Sequence, residues 1–210
     1  MNTIELLGEE ETFKNIVEHK ITELEDNKID IIRNYAFYYC SSLTSVFFPN
    51  ATSIGEYAFN GCSSLTSVSF PVASSIGINA FNGCSGLTEV SIPNATDIGG
   101  GAFNGCSGLT SVSFPNATSI GNNAFYSCSG LTEVSFPVAT SIGNYAFYNC
   151  SKLTTIYVGT ESNTVCTLKN TNAIPSSVTD IYVPEALVNL YKTATNWSSF
   201  ASKIKAYTGV

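Results

Sequence analysis

The sequence predicts a mostly β repeat solenoid, a right-handed superhelix of short rungs whose strands form a parallel sheet. One observation behind this prediction is a segment that recurs with a fixed step of 22 residues, which is typical of stacked structural repeats. The copies begin at Ile32, Ile54, Ile76, Ile98, Ile120 and Ile142. The other observation is that the positions common to all copies are nearly all apolar, so each rung must bury them against its neighbours.

Two short strands and one tight turn are predicted for each rung. In the fifth rung Val134 and Phe136 alternate with polar residues, the pattern of a strand with one buried face. Pro137 has no N–H to donate and should end that strand. A second extended piece is expected over Thr140–Ile142. The segment Asn144–Cys150 of the next rung is too short for a stable helix, so it is expected to form one helical or 3₁₀ turn.

Stacking of the rungs should align identical side chains in columns. One column is predicted to hold buried rings: Phe37, Phe59, Phe81, Phe103, Phe125 and Phe147. Another holds thiols: Cys40, Cys62, Cys84, Cys106, Cys128 and Cys150. The Cβ vectors of neighbouring thiols in a column are parallel, so the two sulfur atoms are poorly placed for a disulfide. A zinc ion needs ligands that converge on one point, and a straight column does not provide them. We therefore expect buried, reduced thiols and no metal or other cofactor. Cys166, in an irregular loop, is expected to differ in exposure.

The repeat L-T-x-V-x-F-P-x-A-T-x-I-G-x-x-A-F-x-x-C resembles the BspA-type leucine-rich repeat, also called the Treponema type, over residues 21–158. This repeat type is common in surface proteins of gut and oral bacteria, so the resemblance implies a bacterial surface or adhesion role. The C-terminal stretch IYVPEALVNLYKTATNWSSFASKIKAY also resembles the closing segment that such proteins often carry.

Three regions are expected along the chain. Residues 1–20 should form an N-terminal helical cap, because Leu6, Phe13 and Ile16 can share one helix face. Residues 21–160 hold the repeats. They begin with a degenerate rung in which Asp26 replaces the strand phenylalanine and is expected to face water.

Residues 161–210 are expected to form a C-terminal cap made of a strand and helices. The strand is predicted in VTDIYVP, and an apolar stripe through Leu187 and Leu190 predicts the first helix. Asn196 is placed to cap a second helix that contains Ile204, and the single tryptophan, Trp197, is expected to close the end of the solenoid.

The composition excludes several classes of partner. Charged residues make up only 12% of the chain, the net charge is −7, and no Lys or Arg occurs between Arg33 and Lys152. Nucleic acid and anionic membranes both require a cationic face, so neither is an expected partner. No stretch is long and apolar enough for a membrane span, and the N-terminus lacks the pattern of a signal peptide. The localisation therefore stays open between the cytoplasm, a particle and, if a leader precedes the chain, the cell surface.

No catalytic constellation is predicted. The single histidine, His19, lies in the charged N-terminal segment with no nucleophile motif beside it. Glu89 and Glu133 share one outward strand position two rungs apart, about 9.6 Å, near the separation found in inverting glycosidases. Because no substrate groove or orienting groups are predicted around them, they are interpreted as surface contact residues.

Candidate binding residues lie at the outward positions of the rungs. The strand columns carry mostly Ser, with Glu89, Glu133 and Tyr157 as larger side chains. The turn columns carry Tyr126, Tyr145 and Tyr148, where the middle rungs have Asn instead. Tyrosine offers a large amphipathic area, so these residues are predicted to contact a partner. Packing between rungs is an alternative role for them.

The function that these observations favour is a non-enzymatic repeat protein, monomeric or weakly oligomeric, that presents an elongated surface to a protein or glycan partner. The alternative is a structural or receptor-contacting component of a phage or prophage particle. The neighbouring genes would separate the two: secretion genes favour the adhesin, and tail genes favour the particle.

Overall fold

The structure, a computed structural model, describes residues 22–208. Over this range the chain is a solenoid of parallel strands with the predicted step: Ser45 pairs with Ser67, and Ser67 pairs with Glu89. Each rung has three sides, named here the front sheet, the back ladder and the turn face. The predicted N-terminal helix and His19 lie outside the described residues.

The front sheet and the back ladder alternate along the chain. In chain order the strands are β1 Glu23–Glu25, β2 Ile31–Ile32, β3 Ser45–Phe47, β4 Ser53–Ile54, β5 Ser67–Ser69, β6 Ser75–Ile76, β7 Glu89–Ser91, β8 Asp97–Ile98, β9 Ser111–Ser113, β10 Ser119–Ile120, β11 Glu133–Phe136, β12 Ser141–Ile142, β13 Thr155–Val158, β14 Thr167–Leu168, β15 Asp180–Pro184 and β16 Ile204–Tyr207. Strands β2, β4, β6, β8, β10, β12 and β14 form the back ladder, and the others form the front sheet. Both predicted strands of the rung are confirmed, and β11 ends directly before Pro137 as expected.

The turn face corrects the prediction of a helical turn in each rung. It consists of six turn segments: Tyr35–Cys40, Tyr57–Cys62, Asn79–Cys84, Gly101–Cys106, Asn123–Cys128 and Tyr145–Cys150. In the last of these Tyr145 has φ 55° and Asn149 has φ 61°, and residues in this left-handed region cannot continue a right-handed helix. Alternate amides instead bond between rungs, as Phe125 N does to Ala146 O at 2.8 Å.

The predicted phenylalanine column fills the core. Neighbouring rings from Phe59 to Phe125 stack with centroids 5.2 Å apart, and the rings at those positions are fully buried. A second column runs beside it on the front strands, and Phe114 and Phe136 stack in it at 6.0 Å. Burying such a side chain contributes roughly 1.5–3 kcal/mol, which a rung gains only when both neighbours are present.

The front sheet is interrupted between β7 and β9. Within residues 22–208 it is divided into a four-stranded part that ends at β7 and a five-stranded part that ends at β9. The amide of Phe70 donates to Ser91 O at 2.9 Å, whereas the equivalent amide of Ile92 has no acceptor in the next rung. At this rung Ile92 replaces the phenylalanine of the second core column. Val90, two residues earlier, is only partly buried. The back ladder continues unbroken through β6, β8 and β10.

Asp26, expected to face water, is instead only 3% exposed. Because Glu25 pairs with Phe47, Asp26 takes the inward position that Phe48 occupies in the next rung. Its Oδ1 accepts a hydrogen bond from the backbone N–H of Lys28 at 2.7 Å. The prediction was wrong because strand register, and not side-chain polarity, decides which way this residue points.

The C-terminal region departs from prediction in two further ways. Helix α1 (Val188–Thr193) is only six residues long, and Leu190, expected in its apolar stripe, is 56% exposed. Asn196 does not cap a helix: its Nδ2 donates to Leu168 O at 2.7 Å. Three short 3₁₀ helices complete the region: Thr171–Ala173, Glu185–Leu187 and Ser198–Lys203.

The C-terminal region adds a strand to the front sheet and places two side chains beside β14, the last strand of the back ladder. Trp197 is fully buried, and its Nε1 donates to Cys166 O at 2.6 Å. Ile204, expected in the second helix, begins β16 and pairs with Ile181 of β15, so the sheet continues one strand further than predicted. None of the helices within residues 22–208 has the length and apolar character needed to cross a membrane.

The interruption of the front sheet should be visible in amide hydrogen exchange. We expect the amide of Ile92 to exchange about tenfold or more faster than those of Phe70 and Phe114, because it lacks the inter-rung acceptor that they have. Residue-resolved exchange by NMR measures this. The amide of Gly99, in the back ladder of the same rung, bonds to Ile76 O at 2.8 Å and serves as the control. Equal protection at Ile92 and Phe70 would contradict the interruption.

Candidate binding surfaces

Two columns of the turn face have a left-handed backbone conformation. The first residue of each turn segment has positive φ: Tyr35, Tyr57, Asn79, Gly101, Asn123 and Tyr145. So does the fifth: Tyr39, Gly61, Gly83, Gly105, Ser127 and Asn149. Asn and Gly adopt this conformation readily, whereas a left-handed φ costs other residues about 1–2 kcal/mol. Four of these positions nevertheless carry tyrosine, which is strained in this conformation: Tyr35, Tyr39, Tyr57 and Tyr145.

The C-terminal tyrosine patch consists of Tyr126, Tyr145 and Tyr148. The rings of Tyr126 and Tyr148 stack at 5.4 Å, and Tyr145 meets Tyr148 edge to face at 5.6 Å. Tyr145 is 39% and Tyr148 38% exposed, so both keep a free aromatic surface. The structure brings together these three of the predicted site residues.

A second patch lies at the other end of the turn face. This N-terminal tyrosine patch consists of Tyr35, Tyr38, Tyr39 and Tyr57. Tyr35 stacks on Tyr57 at 5.0 Å, and Tyr38 meets Tyr39 edge to face at 4.5 Å. The ring of Tyr39 lies over Gly61, where an added Cβ would come within 2.7 Å of it, so the glycine is required for this contact. These four tyrosines were not among the residues predicted from the sequence to contact a partner.

Between the patches the turn face is polar but uncharged. Asn60, Asn82 and Asn104 take the position that Tyr126 and Tyr148 hold in later rungs, and all three are partly buried. The carboxamide of Asn82 donates to Asn79 Oδ1 at 3.1 Å. None of the six turn segments contains an Asp, Glu, Lys or Arg.

Tyr157 does not join the C-terminal patch. It lies on the front sheet, stacks on Tyr182 at 5.0 Å and meets Tyr207 edge to face at 5.8 Å. Its pKa is raised, first by desolvation and then by the charge of Glu133. Tyr182 and Tyr207 were missed because the 22-residue step ends before β15, so no repeat position indicated that they align with Tyr157.

The structure places Glu89 and Glu133 in separate parts of the front sheet. Glu89 lies on β7, the last strand before the interruption, and Glu133 on β11 beyond it. A groove of about 1200 Å³ crosses the strands on the Glu89 side, although no groove was predicted there. Glu23 and Glu25 line its far end and the half-exposed Phe47 its middle. Glu133 has no part in this groove.

All seven cysteines are buried and none forms a disulfide. This confirms the buried, reduced column, and it corrects the expectation that Cys166 is more exposed: it is covered by Tyr191 and Trp197, each hydrogen-bonded to its backbone. In the column every thiol from Cys62 to Cys150 also donates to a main-chain carbonyl of the preceding rung, as Cys106 does to Phe81 O at 3.1 Å. Burial raises the pKa of the Cys166 thiol from 9.0 to about 12 and that of Cys106 well above 9.0. Within the described residues no group of three or more His, Cys, Asp or Glu side chains could hold a metal ion.

A parallel front sheet, a narrower back ladder and one strand pair per short repeat define a solenoid of the leucine-rich repeat class. The family model for the BspA type leucine rich repeat region matches residues 7–117 and 74–201, in six copies. The chain belongs to the BspA-type leucine-rich repeat family. No curated protein matches the sequence.

Several solved structures are similar to this fold. The leucine-rich repeat protein TpLRR of Treponema pallidum has a TM-score of 0.63 and 23% identity, with 90% of this chain and 86% of that chain covered. A leucine-rich repeat protein from Bacteroides ovatus has a TM-score of 0.44 and 23% identity, with 90% and 61% covered. The pneumococcal vaccine antigen PcpA has a TM-score of 0.52 and 16% identity, with 89% and 40% covered. Treponema pallidum TpLRR and PcpA therefore support the fold.

Thiol labelling tests the buried column. At neutral pH none of the seven cysteines of the native protein should react with iodoacetamide, because burial keeps the reagent away from every thiol. All seven should react in denaturant without reductant, as counted by mass spectrometry. Modification of Cys166 in the native state, or fewer than seven free thiols after denaturation, would contradict this arrangement.

The backbone strain at the tyrosines can be measured by substitution. Tyr145→Asn should change the free energy of unfolding by between about −0.5 and about +1.5 kcal/mol. It relieves about 1–2 kcal/mol of left-handed strain and forfeits an aromatic contact worth about 0.5–1.5 kcal/mol. Tyr148→Asn is the control, because Tyr148 has no such strain and should only lose contacts. Equal destabilisation of both variants in urea titrations would show that strain at Tyr145 is negligible.

Proposed function

We propose that this protein is a non-enzymatic binding module of the bacterial surface, adhesion type, which presents its solenoid to a protein or glycan partner. The observation that carries the proposal is the C-terminal tyrosine patch. Tyr126, Tyr145 and Tyr148 are packed against one another yet keep exposed ring surface, at positions where the middle rungs have Asn or Gly. The repeat therefore does not need these rings for its own packing.

Energetic reasons favour this patch over the serine columns as the main contact. Tyrosine side chains offer a large amphipathic area and lose few rotamers on binding, and mutual packing fixes them further before the partner arrives. A column of serines offers little apolar area to remove from water. Tyr157, Glu89 and Glu133 lie on other parts of the surface and are proposed as secondary contacts.

The state of the cysteine thiols supports a non-enzymatic role. The column thiols are buried and hydrogen-bonded to the core backbone. Membership of the BspA-type family supports the bacterial surface role. A component of a phage or prophage particle could use the same surface, and co-purification with particles instead of the cell envelope would identify that alternative.

Paired substitutions test the patch. Tyr126→Asn with Tyr148→Asn should weaken binding about tenfold or more, because each substitution removes a ring of the patch and installs the residue of the middle rungs. Binding to immobilised mucin, matrix proteins and a glycan panel is measured by biolayer interferometry, and thermal unfolding checks that the variant is folded.

The matched control is Ser91→Arg with Ser113→Arg, which alters the front sheet, where only secondary contacts are proposed, and should weaken that binding much less than the tyrosine variant does. Normal binding by the tyrosine variant together with lost binding by the arginine variant would place the site on the front sheet and overturn the proposal.

A further inference from the structure

We propose that the whole turn face, from the N-terminal to the C-terminal tyrosine patch, binds a neutral polysaccharide chain that runs along the solenoid axis. The inference rests on the proposed function and adds to it the chemical class of the partner, a second contact and a direction of binding.

The charge of the turn face selects against most macromolecules. Its six turn segments contain no Asp, Glu, Lys, Arg or His, although the protein as a whole has a net charge of −7. A polyanion such as nucleic acid or a sulfated glycan finds no cation there to pair with. A basic peptide finds its acidic counterparts elsewhere, at Glu23, Glu25 and Glu89 of the front-sheet groove. An uncharged partner needs neither cations nor acidic groups on the turn face, so it can bind there without leaving charges unpaired.

The side chains of the turn face match the two kinds of surface that a sugar ring has. The apolar C–H faces of a pyranose pack by dispersion on aromatic rings, and exposed rings lie at both ends of the turn face. The sugar hydroxyls both donate and accept hydrogen bonds, as do the carboxamides of Asn60, Asn82 and Asn104 between the patches. The Asn82–Asn79 hydrogen bond orients one of these carboxamides before a ligand binds.

The shape of the turn face fits an elongated chain. Tyr57 and Tyr126, the innermost tyrosines of the two patches, are three rungs apart, which is about 15 Å at about 4.8 Å per rung. A mono- or disaccharide can contact only one patch, whereas a longer chain can contact both. Simultaneous contact makes the second binding event intramolecular, so affinity should rise steeply with chain length until both patches are engaged.

Backbone conformation gives independent support for the N-terminal patch. Tyr35, Tyr39 and Tyr57 have φ of 61°, 57° and 56°. Neighbouring rungs hold the same positions with Asn79 or Gly61, which tolerate this conformation better. The rings are thus present although the fold does not require them, and they stack into a preformed platform.

The test measures binding of the intact chain to neutral and acidic polysaccharides. The neutral probes are dextran, starch, mannan and arabinoxylan, and the acidic probes are heparin and hyaluronan. We expect at least one neutral polysaccharide and none of the acidic ones to bind. For that polysaccharide, size-fractionated oligosaccharides should bind at least tenfold more tightly once they are long enough to contact both patches.

Substitutions then locate the contacts. Tyr35→Asn with Tyr57→Asn at one end, and Tyr126→Asn with Tyr148→Asn at the other, should each reduce affinity for long chains about tenfold and abolish the dependence on length. Ser91→Arg with Ser113→Arg is the control and should change neither the affinity for long chains nor its dependence on chain length. A measurement without any variant accompanies them: the side-chain amide signals of Asn82 and Asn104 should shift on titration with the bound oligosaccharide.

The outcomes separate this inference from the proposed function. Binding to a protein probe through the C-terminal patch, with no neutral polysaccharide bound, would overturn the glycan inference and leave the proposed function standing. The glycan inference would also be overturned if glycan binding were unaffected by Tyr35→Asn with Tyr57→Asn and the side-chain amide signal of Asn82 did not shift. Binding that is insensitive to the Tyr126 and Tyr148 substitutions would overturn the proposed function itself.

Discussion

Every rung of this solenoid depends on its neighbours for both its hydrogen bonds and its burial, and this mutual dependence governs the rest of the structure. Amides of the front sheet, the back ladder and the turn face all bond to adjacent rungs. The carbonyl of Phe81 illustrates the constraint: it accepts the amide of Cys84 in its own rung and the thiol of Cys106 in the next. A residue at such a position must therefore be nearly the same in every copy, which explains the regularity of the sequence.

The same constraint leaves most of the freedom to positions that point outward. Inward columns hold Phe, Cys, Ala and Ile throughout, whereas outward turn positions change from Tyr to Asn or Gly and back to Tyr. At Tyr35, Tyr57 and Tyr145 the backbone conformation would be easier for the Asn that neighbouring rungs carry. Function is therefore best sought where a rung departs from its neighbours without any gain in packing. The two tyrosine patches are such departures.

The front sheet shows how far a rung can deviate before the stack opens. Ile92 replaces a phenylalanine of the second core column, and the sheet is interrupted at that rung while the back ladder and the turn face continue through it. Two of the three sides suffice to hold the rungs together there. The groove beside β7 lies on the side of the sheet that carries Glu89, so the interruption also divides the front surface into two regions with different side chains.

The sequence by itself determined the step, both strands of the rung, the phenylalanine and cysteine columns and the family, because each is repeated and the repetition reports which residues face inward. The tertiary structure decided the rest. It decided the left-handed turn segments, since a helical turn has the same local pattern of apolar residues. It also brought Tyr182 and Tyr207 against Tyr157, beyond the last regular rung. Those contacts join residues with no common spacing, so only the folded chain fixes their positions.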